Sequence, residues 1–380
     1  MIADDDLFEQ ALDHHNAGRL VEAAQLYRRL LQRRPQHPDA LYLLGALSYQ
    51  TGDPAQAVEF TRRALRAGAG PGPCHNSLGL AFMALGNPAE AEQSFERALA
   101  IEDTAAIRNN LGNLYRERGR LDDAIAQYQR ALALDPASAN AHYNLGNAHR
   151  QKGDREQAVT CFRQALDGDP AHANALAGLG QVLRALKRSR EAVPYLQKAA
   201  TLLPGDANLQ HELGEALHKI GRIPEALSSF HQALTLDPKR AGTWYSAGCA
   251  ESSREEYVDA IADFRRALEI EPQWAAAQHN LGQALFNLGQ VDEALDLMRL
   301  AAAGGPPELP RAMIAVIIPG SPKSDNQAIF EARSAFAEQD LPPPGPVPHR
   351  PPSAGRPLRI GYVSSLFQNN NWMKPVWGLI

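Results

Sequence analysis

Residues 109–136 read NNLGNLYRERGRLDDAIAQYQRALALDP, and residues 141–170 read AHYNLGNAHRQKGDREQAVTCFRQALDGDP. Shifted by 34 positions, the two stretches superimpose in kind. Gly112 falls on Gly146, Ala124 on Ala158, Tyr128 on Phe162, Ala131 on Ala165 and Pro136 on Pro170. The same series runs outward in both directions. Small residues recur at Ala11, Gly45, Gly79, Gly112, Gly146, Gly180, Gly214, Gly248 and Gly282, and alanine recurs from Ala23 to Ala294 in the same register. A bulky series lies between them at Tyr27, Phe95, Tyr128, Phe162, Leu196, Phe230, Phe264 and Met298, broken by Thr61 in the second unit. A period of 20–50 residues sustained along a chain marks a repeat architecture, in which each unit buries its apolar face against its neighbours.

The chemistry of the repeated positions predicts helix, turn, helix. Glycine in a helix costs roughly 1 kcal/mol relative to alanine, so its recurrence demands close helix packing, which small side chains permit. Prolines at 35, 136, 170, 204, 238, 272 and 306 close most units, where proline ends one helix or opens the next. Mid-unit turns fall at Gly52, Gly86, Gly119, Gly153, Gly221 and Gly289. Three departures stand out: a glycine-rich joint at 66–74, Lys187 in place of a turn glycine, and an irregular stretch at Glu251–Glu255. The joint is expected to be looser than the rest.

Composition narrows the function. The chain has 380 residues, 38 basic and 43 acidic, for a net charge near −5, which gives no general attraction to nucleic acid or an acidic membrane. No run reaches the roughly 18 apolar residues of a membrane span, and the acidic N-terminus lacks the apolar core of a signal peptide. The wide spacing of Cys74, Cys161 and Cys249 suits neither a disulfide framework nor a zinc site. A cytoplasmic location is the expectation. The histidines show no metal-ligand spacing, so no metal site is expected.

The pattern closely resembles the tetratricopeptide-repeat (TPR) family. The resemblance implies an all-α, right-handed superhelix of about nine helix-turn-helix repeats over residues 1–308. The units are 4–37, 38–71, 72–104, 105–138, 139–172, 173–206, 207–240, 241–274 and 275–308. It also implies that one face of each first helix lines a concave groove. On that face, outside the expected packing stripe, Asn110, Asn144 and Asn280 share a position, Asn113 and Asn147 form a second row, and Arg116, Arg150 and Arg184 a third, with Tyr143 and Tyr245 beside them. An asparagine offers a donor and an acceptor to the amides of an extended peptide, and arginines favour acidic or phosphorylated side chains. The partners expected are proteins or peptides in the groove. The plainer reading is a solvated polar helix face.

After Pro306–Pro307 the character changes. Residues 309–341 read as post-repeat helices, including the amphipathic NQAIFEARSAFAEQ. Residues 342–357 are a proline-rich linker, and LRIGYVSS (358–365) alternates as a strand does. This order of parts is similar to protein O-GlcNAc transferases of the SPINDLY and bacterial type (glycosyltransferase family 41). That resemblance implies that 358–380 is the truncated start of an α/β GT-B domain. It also implies that the chain is the substrate-recruiting arm of an enzyme using UDP-GlcNAc as donor. No catalytic residue and no cofactor fall within this chain on that reading. The alternative is a free-standing adaptor; coding sequence beyond Ile380 with a second Rossmann-like pattern distinguishes the two. A receptor for chaperone tails is disfavoured, because Asn109 and Asn174 stand where such receptors place lysine.

Overall fold

The computed structural model describes residues 4–306 and 308–340, which form twenty α-helices, one short 3-10 turn and no strand. Eighteen helices make nine antiparallel pairs: α1 (Asp4–Asn16) with α2 (Leu20–Arg33), α3 (Pro38–Gln50) with α4 (Pro54–Arg66), α5 (Pro71–Ala84) with α6 (Pro88–Ile101), α7 (Ala105–Glu117) with α8 (Leu121–Leu134), α9 (Ala139–Lys152) with α10 (Arg155–Gly168), α11 (Ala173–Ala185) with α12 (Ser189–Leu202), α13 (Ala207–Lys219) with α14 (Ile223–Leu236), α15 (Ala241–Ser252) with α16 (Tyr257–Ile270), and α17 (Ala275–Asn287) with α18 (Val291–Gly304). Then come α19 (Glu308–Ile317), the 3-10 turn Ile318–Gly320 and α20 (Asn326–Asp340). Helices of this length are marginal alone in water; stacking stabilises them.

Local chemistry sets the ends. Proline opens α3, α4, α5 and α6, where its missing N–H would be unbonded in any case. Asp53, Thr104 and Asp206 cap their helices by accepting from the backbone N–H three residues on, at 2.9, 3.3 and 3.1 Å. Inside each pair, the small residue of the first helix meets the bulky residue of the second. A Cβ placed on Gly112 would stand 2.6 Å from the Tyr128 ring, one on Gly146 2.8 Å from Phe162, and one on Gly248 2.8 Å from Phe264. In the second repeat, Thr61 takes the bulky position and lies 2.7 Å from where a Gly45 Cβ would be.

The turn inside each pair needs one residue with positive φ, at Gly18, Gly52, Gly86, Gly119, Gly153, Lys187, Gly221, Glu255 and Gly289. Lys187 and Glu255 hold φ of 62° and 63°, a conformation unfavourable for residues with a Cβ. The backbone therefore keeps the repeat geometry where the sequence departs from it.

The glycine-rich joint at 66–74 is tight, contrary to expectation. Ala69 and Cys74 are buried with Leu41 and Ala64, and a Cβ on Gly72 would touch Ile101 and Glu102. The glycines there allow α5 to approach rather than to swing. Beyond the array, Ile317 and Ile318 are buried against Leu295 and Met298, and Ser321 donates to Asp292 at 2.6 Å. The expected linker at 342–357 and strand at 358–365 lie outside the described residues.

Candidate functional site: the face of the first helices

From α3 to α17, each first helix touches the first helix of the next repeat, whereas successive second helices do not pack to that extent. The row of first helices is thus on the inner side of the curve, where a groove forms. Its floor is polar, and each repeat boundary from the third repeat to the ninth is bridged by a side-chain contact. The Asn110 amide donates to Asn76 Oδ1 at 3.0 Å, and Asn144 donates to Asn109 Oδ1 at 3.0 Å. Arg150 donates to Gln181 at 2.7 Å. Arg184 pairs with Glu212 at 2.5 Å and faces Glu215 at 3.7 Å. Ser246 donates to Glu215 at 2.5 Å, and Asn280 donates to the Tyr245 hydroxyl at 3.0 Å.

These bridges hold the amides in fixed orientations without exhausting them. Each asparagine has two donor hydrogens and two acceptor lone pairs on its amide, so one bond to a neighbour leaves capacity for a ligand. Asn110 and Asn144 are half-buried, which immobilises the amide while leaving an edge open.

Three expected groove residues are placed differently. Asn147 is only 7% exposed, so it belongs to the floor rather than the solvated surface. Asn113 accepts a 2.7 Å hydrogen bond from Tyr128. Both follow the packing glycine directly, and that position turns toward the second helix. Arg184 is engaged by Glu212 and Glu215, so the arginines do not make one uniform basic row. Arg150 is exposed and Arg116 half-buried, with Arg116 close enough to influence the Tyr128 hydroxyl. The groove therefore runs from amides and arginine in repeats three to five to carboxylates in repeat seven.

The aromatic pair sits against the bulky series. The Tyr143 ring lies 6.0 Å from Phe162 and 5.0 Å from His172; the Tyr245 ring lies 5.8 Å from Phe264 and 4.5 Å from Trp274. Burial, with Cys249 beside it, pushes the Tyr245 hydroxyl up to about 12. Burial also pushes the Cys249 thiol up, so that thiol is a poor nucleophile. Next to them, a hollow of about 230 Å³ opens between repeats eight and nine, lined by Cys249, Ser252, Asn280, Gln283 and Asn287 among others. Sequence reading missed Asn76, Gln181, Glu212, Glu215 and Ser246. The available signal was complementary polar residues 31–35 positions apart, the separation of contacts between neighbouring first helices.

Family models match nearly the whole array. One described as "TPR repeat" covers 112–153. Others described as "Tetratricopeptide repeat" cover 143–207 and 211–273, 7–73 and 253–315, and 72–105. Among solved structures, the chain is 31% identical to YrrB, "a TPR protein with an unusual peptide-binding site", over 50% of this chain and 98% of that one (TM-score 0.48). The C-terminal part of a TPR repeat-containing protein from Cytophaga hutchinsonii is 16% identical, over 63% of this chain and 99% of that one (TM-score 0.51). A curated relative, the human "Protein O-mannosyl-transferase TMTC1", is 39% identical over 61 residues, 16% of this chain. The match spans 7% of that relative's length. Among the described residues, no helix is long and apolar enough to cross a membrane.

Proposed function

We propose a function from the premise that this chain belongs to the tetratricopeptide-repeat proteins: it is a protein-interaction scaffold whose inner face binds extended polypeptides. The observation that carries this reading is the pair of inter-repeat amide bridges, Asn76–Asn110 and Asn109–Asn144, on the side where the first helices converge. Backbone amides of an extended peptide repeat along its length, and fixed side-chain amides recognise them whatever the sequence. Arg116 and Arg150 beside these bridges favour a peptide with acidic or phosphorylated side chains, whereas in repeat seven Arg184 and Ser246 already engage Glu212 and Glu215.

The finer proposal is that the scaffold recruits protein substrates for a UDP-GlcNAc-dependent O-glycosyltransferase. It rests on the resemblance in the order of parts after the array. The short match to a protein named as an O-mannosyl-transferase is consistent with TPR units serving protein glycosylation.

An array of unstructured acidic, neutral and basic peptides tests the groove. Asn110→Ala with Asn144→Ala should weaken binding to all of them by at least about tenfold. Arg116→Ala with Arg150→Ala should weaken acidic peptides selectively and flatten the salt dependence. Equal binding by wild type and both double variants would refute the groove assignment. Reading the coding sequence past Ile380 tests the transferase proposal, which fails if no second Rossmann-like pattern follows.

A further inference from the structure

Repeat eight contains a cluster that the groove does not use. Glu251 lies in the last turn of α15, Asp263 lies in α16, and His231 lies in α14 of the preceding repeat. Glu251 occupies the position of Leu183, Leu217 and Leu285 in other repeats, each of them almost fully buried. A core leucine has therefore been replaced by a carboxylate. Glu251 and Asp263 are 7% and 8% exposed. Glu251 Oε2 and Asp263 Oδ2 are sealed from solvent, no third residue among those described donates to them, and the two carboxyls face each other. One ligand atom from each of His231, Glu251 and Asp263 lies within 4.8 Å of the other two.

A buried carboxylate oxygen without a donor is strongly unfavourable. The other charged groups acting on Glu251, Asp259 and Glu256, are acidic and increase the demand for positive charge. A divalent cation meets that demand in a way a single hydrogen bond does not. The donor set decides the kind of ion. Calcium and magnesium take six or more oxygens, whereas one imidazole nitrogen and two carboxylate oxygens with one open position suit zinc. Zinc–ligand distances of about 2.0–2.2 Å require only a modest contraction of the observed cluster. His231 is exposed, which provides the entry side and room for water as the fourth ligand.

We propose that His231, Glu251 and Asp263 form a zinc-class divalent cation site that ties α14 to both helices of repeat eight. The site is independent of the groove and its role is structural. It connects repeat eight to its neighbour at the place where a core side chain is missing.

The test uses the full chain, stripped with a chelator and dialysed. Zinc chloride is titrated by calorimetry and by thermal melting, with magnesium chloride as the control. The site predicts saturable binding of zinc and a rise in Tm of several degrees, with no such rise for magnesium. His231→Ala, at an exposed position, should fold normally and lose at least about tenfold in zinc affinity. Glu251→Gln should abolish the zinc effect without lowering the Tm of the stripped protein. Absence of saturable zinc binding would overturn the proposal and leave the two carboxyls sharing a proton. Zinc binding unchanged in His231→Ala would also overturn it, because other histidines would then hold the ion.

Discussion

Asn113 accepts a 2.7 Å hydrogen bond from the hydroxyl of Tyr128, and through that bond a residue of the inner face holds the ring that fills its own repeat. Tyr128 is fully buried, and burial pushes its hydroxyl up to about 12. Asn113→Ala leaves that phenol without its acceptor, which costs about 1–3 kcal/mol. Asn110→Ala removes only a bridge to Asn76 at a half-buried edge and should cost less than about 1 kcal/mol. Urea denaturation of the two variants checks the contrast. Equal losses would mean that the two rows of asparagines play the same part.

The packing glycines reverse an ordinary rule. Glycine to alanine inside a helix normally gains up to about 1 kcal/mol. At Gly112 the new methyl would sit 2.6 Å from the Tyr128 ring, so Gly112→Ala should instead lose about 1–3 kcal/mol through overpacking. Gly242 also lies in a helix, yet nothing approaches within 4 Å of the Cβ position. Gly242→Ala should therefore gain a few tenths to about 1 kcal/mol. Thermal melts of the two variants should shift in opposite directions; a shared direction would show that the ring contact does not govern the glycine.

Much of this was legible in the sequence, for a physical reason. A solenoid repeats its packing, so the small position is written nine times and the bulky one eight, with Thr61 the exception. Lys187 was visible as the missing turn glycine, and the structure adds that it takes glycine's conformation. Asn147 is more buried than expected because one residue past a packing glycine is about 100° round the helix, a position a coarse stripe counts as solvated. The Glu212 partner of Arg184 was missed because it belongs to a different helix. The cluster of His231, Glu251 and Asp263 was invisible for the same reason, since three helices supply it and no linear spacing records it.

Lys187 is exposed and holds φ of 62° in its turn. A residue with a Cβ is strained there by about 1–2 kcal/mol, while glycine is not. Glycine also raises the entropy of the unfolded chain, which offsets part of the benefit. Lys187→Gly should therefore stabilise repeat six by about 0.5–1 kcal/mol. Slower hydrogen exchange of the amides around that turn is the local readout. Unchanged or faster exchange would show that the lysine side chain makes a contact worth more than the strain.

The stripped protein should lose stability as pH rises, opposite to the behaviour of ordinary surface carboxylates. Burial, with Asp263 next, pushes Glu251 up to about 8, and burial, with Asp259 next, pushes Asp263 up to about 6. Both groups hold their protons more tightly folded than unfolded. Below their ordinary values of 4.5 and 3.8 both states are protonated, and neither group alters stability. As pH rises past those values the unfolded chain releases protons that the folded chain retains, and each retained proton costs about 1.4 kcal/mol per pH unit. The loss from Asp263 levels off near pH 6 and that from Glu251 near pH 8. Glu251→Gln replaces the titrating group with an amide of the same shape that can donate to Asp263. It should match wild type at pH 4 and exceed it by at least about 1 kcal/mol at pH 8, by urea denaturation in the presence of a chelator. If the two proteins keep the same difference at both pH values, Glu251 is not a buried proton-binding group, and its oxygens have a donor in solution.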